Sequence, residues 1–134
     1  MTDAVNPIPP GMHTVTPHLV CAGAAEAIEF YKKAFNAVEV GRMPAPDGKL
    51  MHASLRIGDS TVMASDCHSQ GKPNFEGISL SISAANDAQA ERAFAALSGN
   101  GGKVCAPLTK TFFSSKFGVA TDRFGVTWMI VVMP

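Results

Sequence analysis

From its amino end the chain switches between two periods of apolar residues. The run TVTPHLVC, from Thr14 to Cys21, is rich in β-branched residues and stops at Ala22-Gly23, which predicts a strand and a break. From Ala24 to Phe35 the period lengthens, and Ala27, Ile28, Tyr31, Ala34 and Phe35 fall on one stripe of a helix. Extended runs follow at Ala37–Arg42, Lys49–Ile57 and Ser60–Asp66, separated by the turn signals Pro46-Asp47-Gly48 and Gly58-Asp59. Beyond a polar loop from Cys67 to Glu76 the order returns. A strand is expected at Ile78–Ser83 and a helix at Asn86–Ser98, whose stripe is Ala90, Ala93, Phe94 and Leu97. Asn86 is its expected cap, and Gly99 with Gly101-Gly102 its stop. Runs at Lys103–Leu108, Phe117–Thr121 and Val126–Met133 complete the second half.

The order βαβββ therefore occurs twice, and Thr61-Val62-Met63 is echoed by Thr127-Trp128-Met129, so a duplicated unit is the simplest account. The expectation is one α+β domain over 13–134, built of tandem βαβββ modules at 13–68 and 77–133. Pro7, Pro9, Pro10 and Gly11 exclude a helix or central strand from the segment ahead of it, so 1–12 reads as a flexible arm.

Composition narrows the partners. A chain of 134 residues that is 46% hydrophobic can bury a real core. Eleven basic and eleven acidic side chains cancel, which removes the electrostatic footprint of a nucleic-acid or anionic-membrane binder. No run approaches the roughly 20 apolar residues that span a bilayer, and the first ten residues lack the basic and apolar regions of a secretory leader, so a cytoplasmic protein is expected. Cys21, Cys67 and Cys105 are odd in number and widely spaced, which suits reduced thiols rather than a disulfide framework. No GxGxxG, GxxxxGK[ST] or GxSxG motif occurs, so no nucleotide cofactor and no serine hydrolysis is indicated.

The segments AIEFYKKAF, KLMHASLRIGDSTVMASD and NGGKVCAPLTKTFFSSKFGVATDRFGVTWMIV, spread over residues 14 to 133, closely resemble the PhnB-like proteins of the glyoxalase/bleomycin-resistance/dioxygenase (vicinal oxygen chelate) superfamily. The resemblance implies strands that curl into a cup and a homodimer that completes or buries the pocket. It does not fix a reaction, because the superfamily includes glyoxalase I, extradiol dioxygenases, fosfomycin-resistance transferases and bleomycin-binding proteins. Metal-dependent relatives place a His, Gln or Glu ligand on the first and last strand of each module. The matching positions here read Thr16, Met63, Gly77 or Ile78, and Met129. Methionine thioethers suit only soft ions such as Cu(I), so no divalent centre of the family's kind is expected. Strand alternation could still bring His18 and His52 together in a displaced site.

Among the remaining candidates, His52 lies on a strand whose other face, Met51, Ala53, Leu55 and Ile57, is apolar, so it is expected to project toward the pocket. There it could act as general acid or base, donate a hydrogen bond to a ligand, or bond to a neighbour on the sheet. His18 shares the face of Thr16. Arg56 shares the face of His52 and could hold an anion bidentately, or pair with Asp59. Phe112, Phe113 and Phe117 could close on an apolar ligand, form a dimer contact or plug the core; Phe113 stands where the resembled proteins often carry tryptophan. Cys67 and His68 read as surface loop residues, and Asp122-Arg123-Phe124-Gly125 as a structural turn.

The leading expectation is a cup without the usual metal that binds or sequesters a small, largely apolar molecule. It would be lined by Thr16, His18, His52, Arg56, Met63, Phe113 and Met129, and methionines suit irregular ligands. The alternative is a metal-independent isomerase or lyase using His52 with His18 or Asp66. Strand parity points Asp66 away from Met63, against that partnership.

Overall fold

The computed structural model describes residues 7–67 and 72–134. β1 (His18–Cys21), α1 (Ala24–Phe35), β2 (Val38–Pro44), β3 (Leu50–Ile57) and β4 (Ser60–Asp66) form the first βαβββ run. β5 (Ser79–Ser83), α2 (Asp87–Ser98), β6 (Lys103–Thr109), β7 (Lys116–Thr121) and β8 (Thr127–Val132) form the second. The strands make two sheets of the same order, β1-β4-β3-β2 and β5-β8-β7-β6. In each, the first strand runs parallel to the last and the other neighbours are antiparallel. The α+β fold of tandem βαβββ modules is therefore the one the hydrophobic pattern predicts.

The chain divides into two compact units. The first holds β1–β4 with α1 as far as Lys32. Since β1 and β2 run parallel at opposite edges of their sheet, the helix joining them crosses one sheet face. Ala27, Ile28 and Tyr31 of α1 are fully buried, as are Cys21, Ala53, Leu55 and Ala64 of the strands. Both ends of the helix are tied down. Asp66, the last residue of β4, accepts hydrogen bonds from the N–H groups of Gly23 (3.2 Å) and Ala24 (2.9 Å) with one oxygen, and from the N–H of Leu50 (2.7 Å) with the other. At the far end Lys32 reaches Glu39 of β2 at 3.1 Å, and Arg42 grips the same carboxylate.

The second unit holds β5–β8, α2 and the last turn of α1, whose Phe35 ring lies 4.8 Å from that of Trp128. α2 packs on β6, β7 and β8 through Ala90, Ala93, Phe94 and Leu97. A side chain at Gly118 of β7 would meet Phe94 Cε1 at 2.6 Å, so glycine there lets the helix approach. Asn86 caps α2 by accepting from Gln89 N at 2.8 Å, and Gln89 Oε1 in turn accepts from Ala85 N, so two backbone donors at the helix start are satisfied.

Several expectations shift. β1 begins at His18 rather than Thr14, because Pro17 has no N–H to give a ladder; its carbonyl accepts from Met63 N at 2.8 Å. The core face of β3 is Leu50, Ala53 and Leu55. Met51 is 52% exposed, since the β2–β3 register slips between Met43 and Pro44. Gly99 is extended at the end of α2, and the positive φ falls on Asn100 and Gly101. Of the arm expected over 1–12, residues 1–6 lie outside the described residues, as does His68. Farther along the arm, Gly11 is held to β4, its carbonyl accepting from Thr61 Oγ1 at 2.7 Å. Cys21 is buried, Cys67 half-buried and Cys105 exposed. No helix among the described residues is long and apolar enough to cross a membrane.

Candidate functional site

With Leu19, Ala53, Leu55, Val62 and Ala64 committed to the core, alternation sends their neighbours to the opposite face of the first sheet. That face carries His18 on β1, Thr61, Met63 and Ser65 on β4, and His52, Ser54 and Arg56 on β3. The register sets His18 and Ser54 on either side of Met63. Two contacts cross the face diagonally. His18 Nε2 meets Ser65 Oγ at 2.9 Å, and His52 Nε2 meets Met63 Sδ at 2.9 Å. The two imidazoles are edge to face, 5.9 Å between centroids. Partial burial, and then repulsion from His52, pull His18 below the ordinary imidazole pKa, so its ring is neutral at physiological pH.

Arg56 sits at one end of this face, exposed, with its guanidinium over Gly11: a β-carbon there would lie 2.6 Å from Nη2. Among the described residues no carboxylate is within ion-pair distance of it, and Asp59 instead accepts from Ser60 at 3.2 Å. Asp66 faces the core side. Burial would raise its pKa, but the N–H donors of Leu50, Ala24 and Gly23 together outweigh burial, Lys49 adds to them, and the carboxyl is held below its ordinary range. It is a clamp on α1 rather than a partner for His52.

The structure thus brings together His18, His52 and Met63, with Arg56 at the margin. It leaves Thr16 outside, two residues ahead of β1, its hydroxyl 3.4 Å from the carbonyl of His13. Ser65 was missed in the sequence; its signal is the alternation Thr61, Met63, Ser65 along β4. In the second unit, Met129 stands opposite Ser81 and Val119. Phe113 stacks on Phe117 at 5.4 Å and on Phe112 at 5.2 Å, and Phe112 is 99% exposed.

A divalent centre of the superfamily's kind would draw on the first and last strands of each unit. The register offers His18 with Met63 in the first unit, and Ser81 with Met129 in the second, in place of the Thr16 and Gly77 or Ile78 that the sequence suggests. An imidazole with a thioether, or a hydroxyl with a thioether, does not fit such an ion. Among the described residues no three His, Cys, Asp or Glu side chains group as a metal site.

Known proteins resemble the chain in sequence and in fold. The profile of the 3-demethylubiquinone-9 3-methyltransferase family matches residues 13–131. An uncharacterized protein of Mycobacterium bovis is 41% identical over 126 residues, covering 87% of this chain and 80% of its own. Protein YjdN of Escherichia coli K12 is 31% identical over 140 residues, covering 89% and 95%. Among solved structures, protein PA1353 of Pseudomonas aeruginosa superposes with a TM-score of 0.81 at 35% identity, over 90% of this chain and 98% of its own. A PhnB protein of Bacillus cereus has the same fold, with a TM-score of 0.79 at 23% identity over 90% and 99%.

Proposed function

We propose, for a chain that belongs to the PhnB-like family described as 3-demethylubiquinone-9 3-methyltransferase, the function of a small-molecule-binding protein. Its ligand is largely apolar and carries one anionic or hydrogen-bonding group. The observation that carries the reading is the open face of the first sheet, where two imidazoles lie near an arginine that no carboxylate among the described residues neutralises. Histidine and arginine there supply hydrogen bonds and a bidentate anion contact, and Val20, Val38 and Met43, exposed on the same sheet, supply apolar area. The odd number and wide spacing of the cysteines suit the cytoplasm, and we take the working form to be a homodimer.

Acid–base turnover by His52 is the weaker reading. Its Nε2 is engaged by a thioether, and the carboxylate of Asp66 is spent on backbone donors, so among the described residues no acid orients the ring.

Native mass spectrometry of protein purified without affinity metals tests the proposal, with 1-anilinonaphthalene-8-sulfonate as an apolar anionic probe. The expected outcome is a dimer carrying a small organic mass, and a probe affinity that falls about tenfold in Arg56→Ala and in His52→Ala. A chain without co-purified ligand, whose weak probe binding ignores both substitutions, would sink it.

A further inference from the structure

Going beyond that reading, we propose that His18, His52 and Met63 form a binding site for a soft monovalent d10 ion, Cu(I) or its stable surrogate Ag(I). The argument begins with donor chemistry. His52 Nε2 and Met63 Sδ already point at one another at 2.9 Å, and the His18 ring lies 5.9 Å away, centroid to centroid, across the same strand. A modest opening of the His52–Met63 contact would admit an ion between nitrogen and sulfur. His18 would become the third donor by exchanging its bond to Ser65 Oγ for the metal.

The set is two imidazoles and a thioether, with no anionic donor among them. Zn(II), Ni(II) and Fe(II) favour donor sets with carboxylate, thiolate or more imidazoles, and each would bring two positive charges to a face that, among the described residues, offers no carboxylate. A soft monovalent ion accepts the thioether, tolerates three-coordination and brings a single charge. The donors also sit on strands rather than loops, with Met63 fixed by ladders on both sides, so their backbones are in place and only side-chain rotations separate the set from the ion-bound arrangement. The face is open, which gives the ion a route in: His18 is exposed, and His52 and Met63 are half-buried.

The duplication provides an internal comparison. Register aligns Met63 with Met129, His18 with Ser81 and Ser54 with Val119; two residues along, His52 aligns with Phe117. The second unit therefore keeps the thioether and lacks both imidazoles. Methionine alone is a weak ligand, so the ion belongs to the first unit.

The test uses the full chain with Cys67→Ser and Cys105→Ser, which removes the accessible thiols that would compete for the metal. Ag(I) is titrated in while NMR follows the methionine ε-methyl groups and the histidine ring protons. In the expected result the first equivalent moves Met63, His52 and His18 together and leaves Met129 still. Met63→Leu and His52→Gln each weaken Ag(I) binding by about tenfold or more, whereas Met129→Leu does not. Folding of each variant is checked by its amide spectrum, and the two single-site variants give independent readings should one fail to fold. The proposal is overturned if Met63 does not respond to the first equivalent, if Met63→Leu binds Ag(I) as tightly as its parent, or if Zn(II) binds these residues more tightly than Ag(I). The anilinonaphthalene assay on metal-free protein is read separately, so failure here leaves the organic-ligand proposal standing and the reverse also holds.

Discussion

Asp122 is 3% exposed, and its carboxylate ties the turn between β7 and β8 to Trp128. One oxygen accepts from Phe124 N at 2.9 Å and Val126 N at 3.1 Å, and the other accepts from the indole Nε1 of Trp128, also at 2.9 Å. Gly125, at φ 92°, lets the chain turn tightly enough for both backbone donors to face the carboxylate. Replacing Asp122 with Ala strands three donors, two of them buried, and should cost about 3 kcal/mol or more in urea unfolding. Trp128→Phe strands one carboxylate lone pair and also leaves a cavity where a large, fully buried side chain stood, so it too should destabilise the fold. The turn was readable in Asp122-Arg123-Phe124-Gly125, but the bond to Trp128 was not, because a side chain six residues along meets the turn only once β8 has turned back. The same limit hid the His52–Met63 contact: alternation puts both on one face, and only the register of β3 on β4 makes them diagonal neighbours.

Between elements, Asp66 joins the end of β4 to the start of α1 and the start of β3. α1 begins at Gly23, which offers no capping side chain, so the carboxylate of a distant strand serves in its place. Because the folded pKa is lowered from 3.8, the ionised form favours the folded state. Its contribution is complete above the unfolded value and is lost as pH falls through the folded one. Stability measured by urea unfolding should therefore decline from about pH 5 downward, and Asp66→Asn should be less stable at neutral pH and show a shallower decline. Element positions were largely legible: both helical stripes are the buried ones, and the ends of α1 and of β4 fall where the sequence put them. The mismatches lie at Pro17 and at the β2–β3 slip near Met43. There a missing donor and a pairing irregularity, neither visible in hydrophobic alternation, decide where a strand starts or which side a residue takes.

Over the whole molecule the repeat is carried by topology far more than by letters. Both sheets share one strand order, and each first strand pairs in parallel with its last. The faces opposite the two cores have diverged. Where the first unit has His52, Ser54 and Ser65, the second has Phe117, Val119 and Val131 at the aligned positions. The divergence limits occupancy. A duplicated fold with two like faces would saturate at two equivalents of one ligand per chain, with paired sites of similar affinity. A chain whose paired imidazoles and Arg56 lie, among the described residues, on the face of the first unit alone should saturate at one, and a titration by calorimetry should return one equivalent per chain. Duplication here has traded a second copy of a site for a second kind of surface.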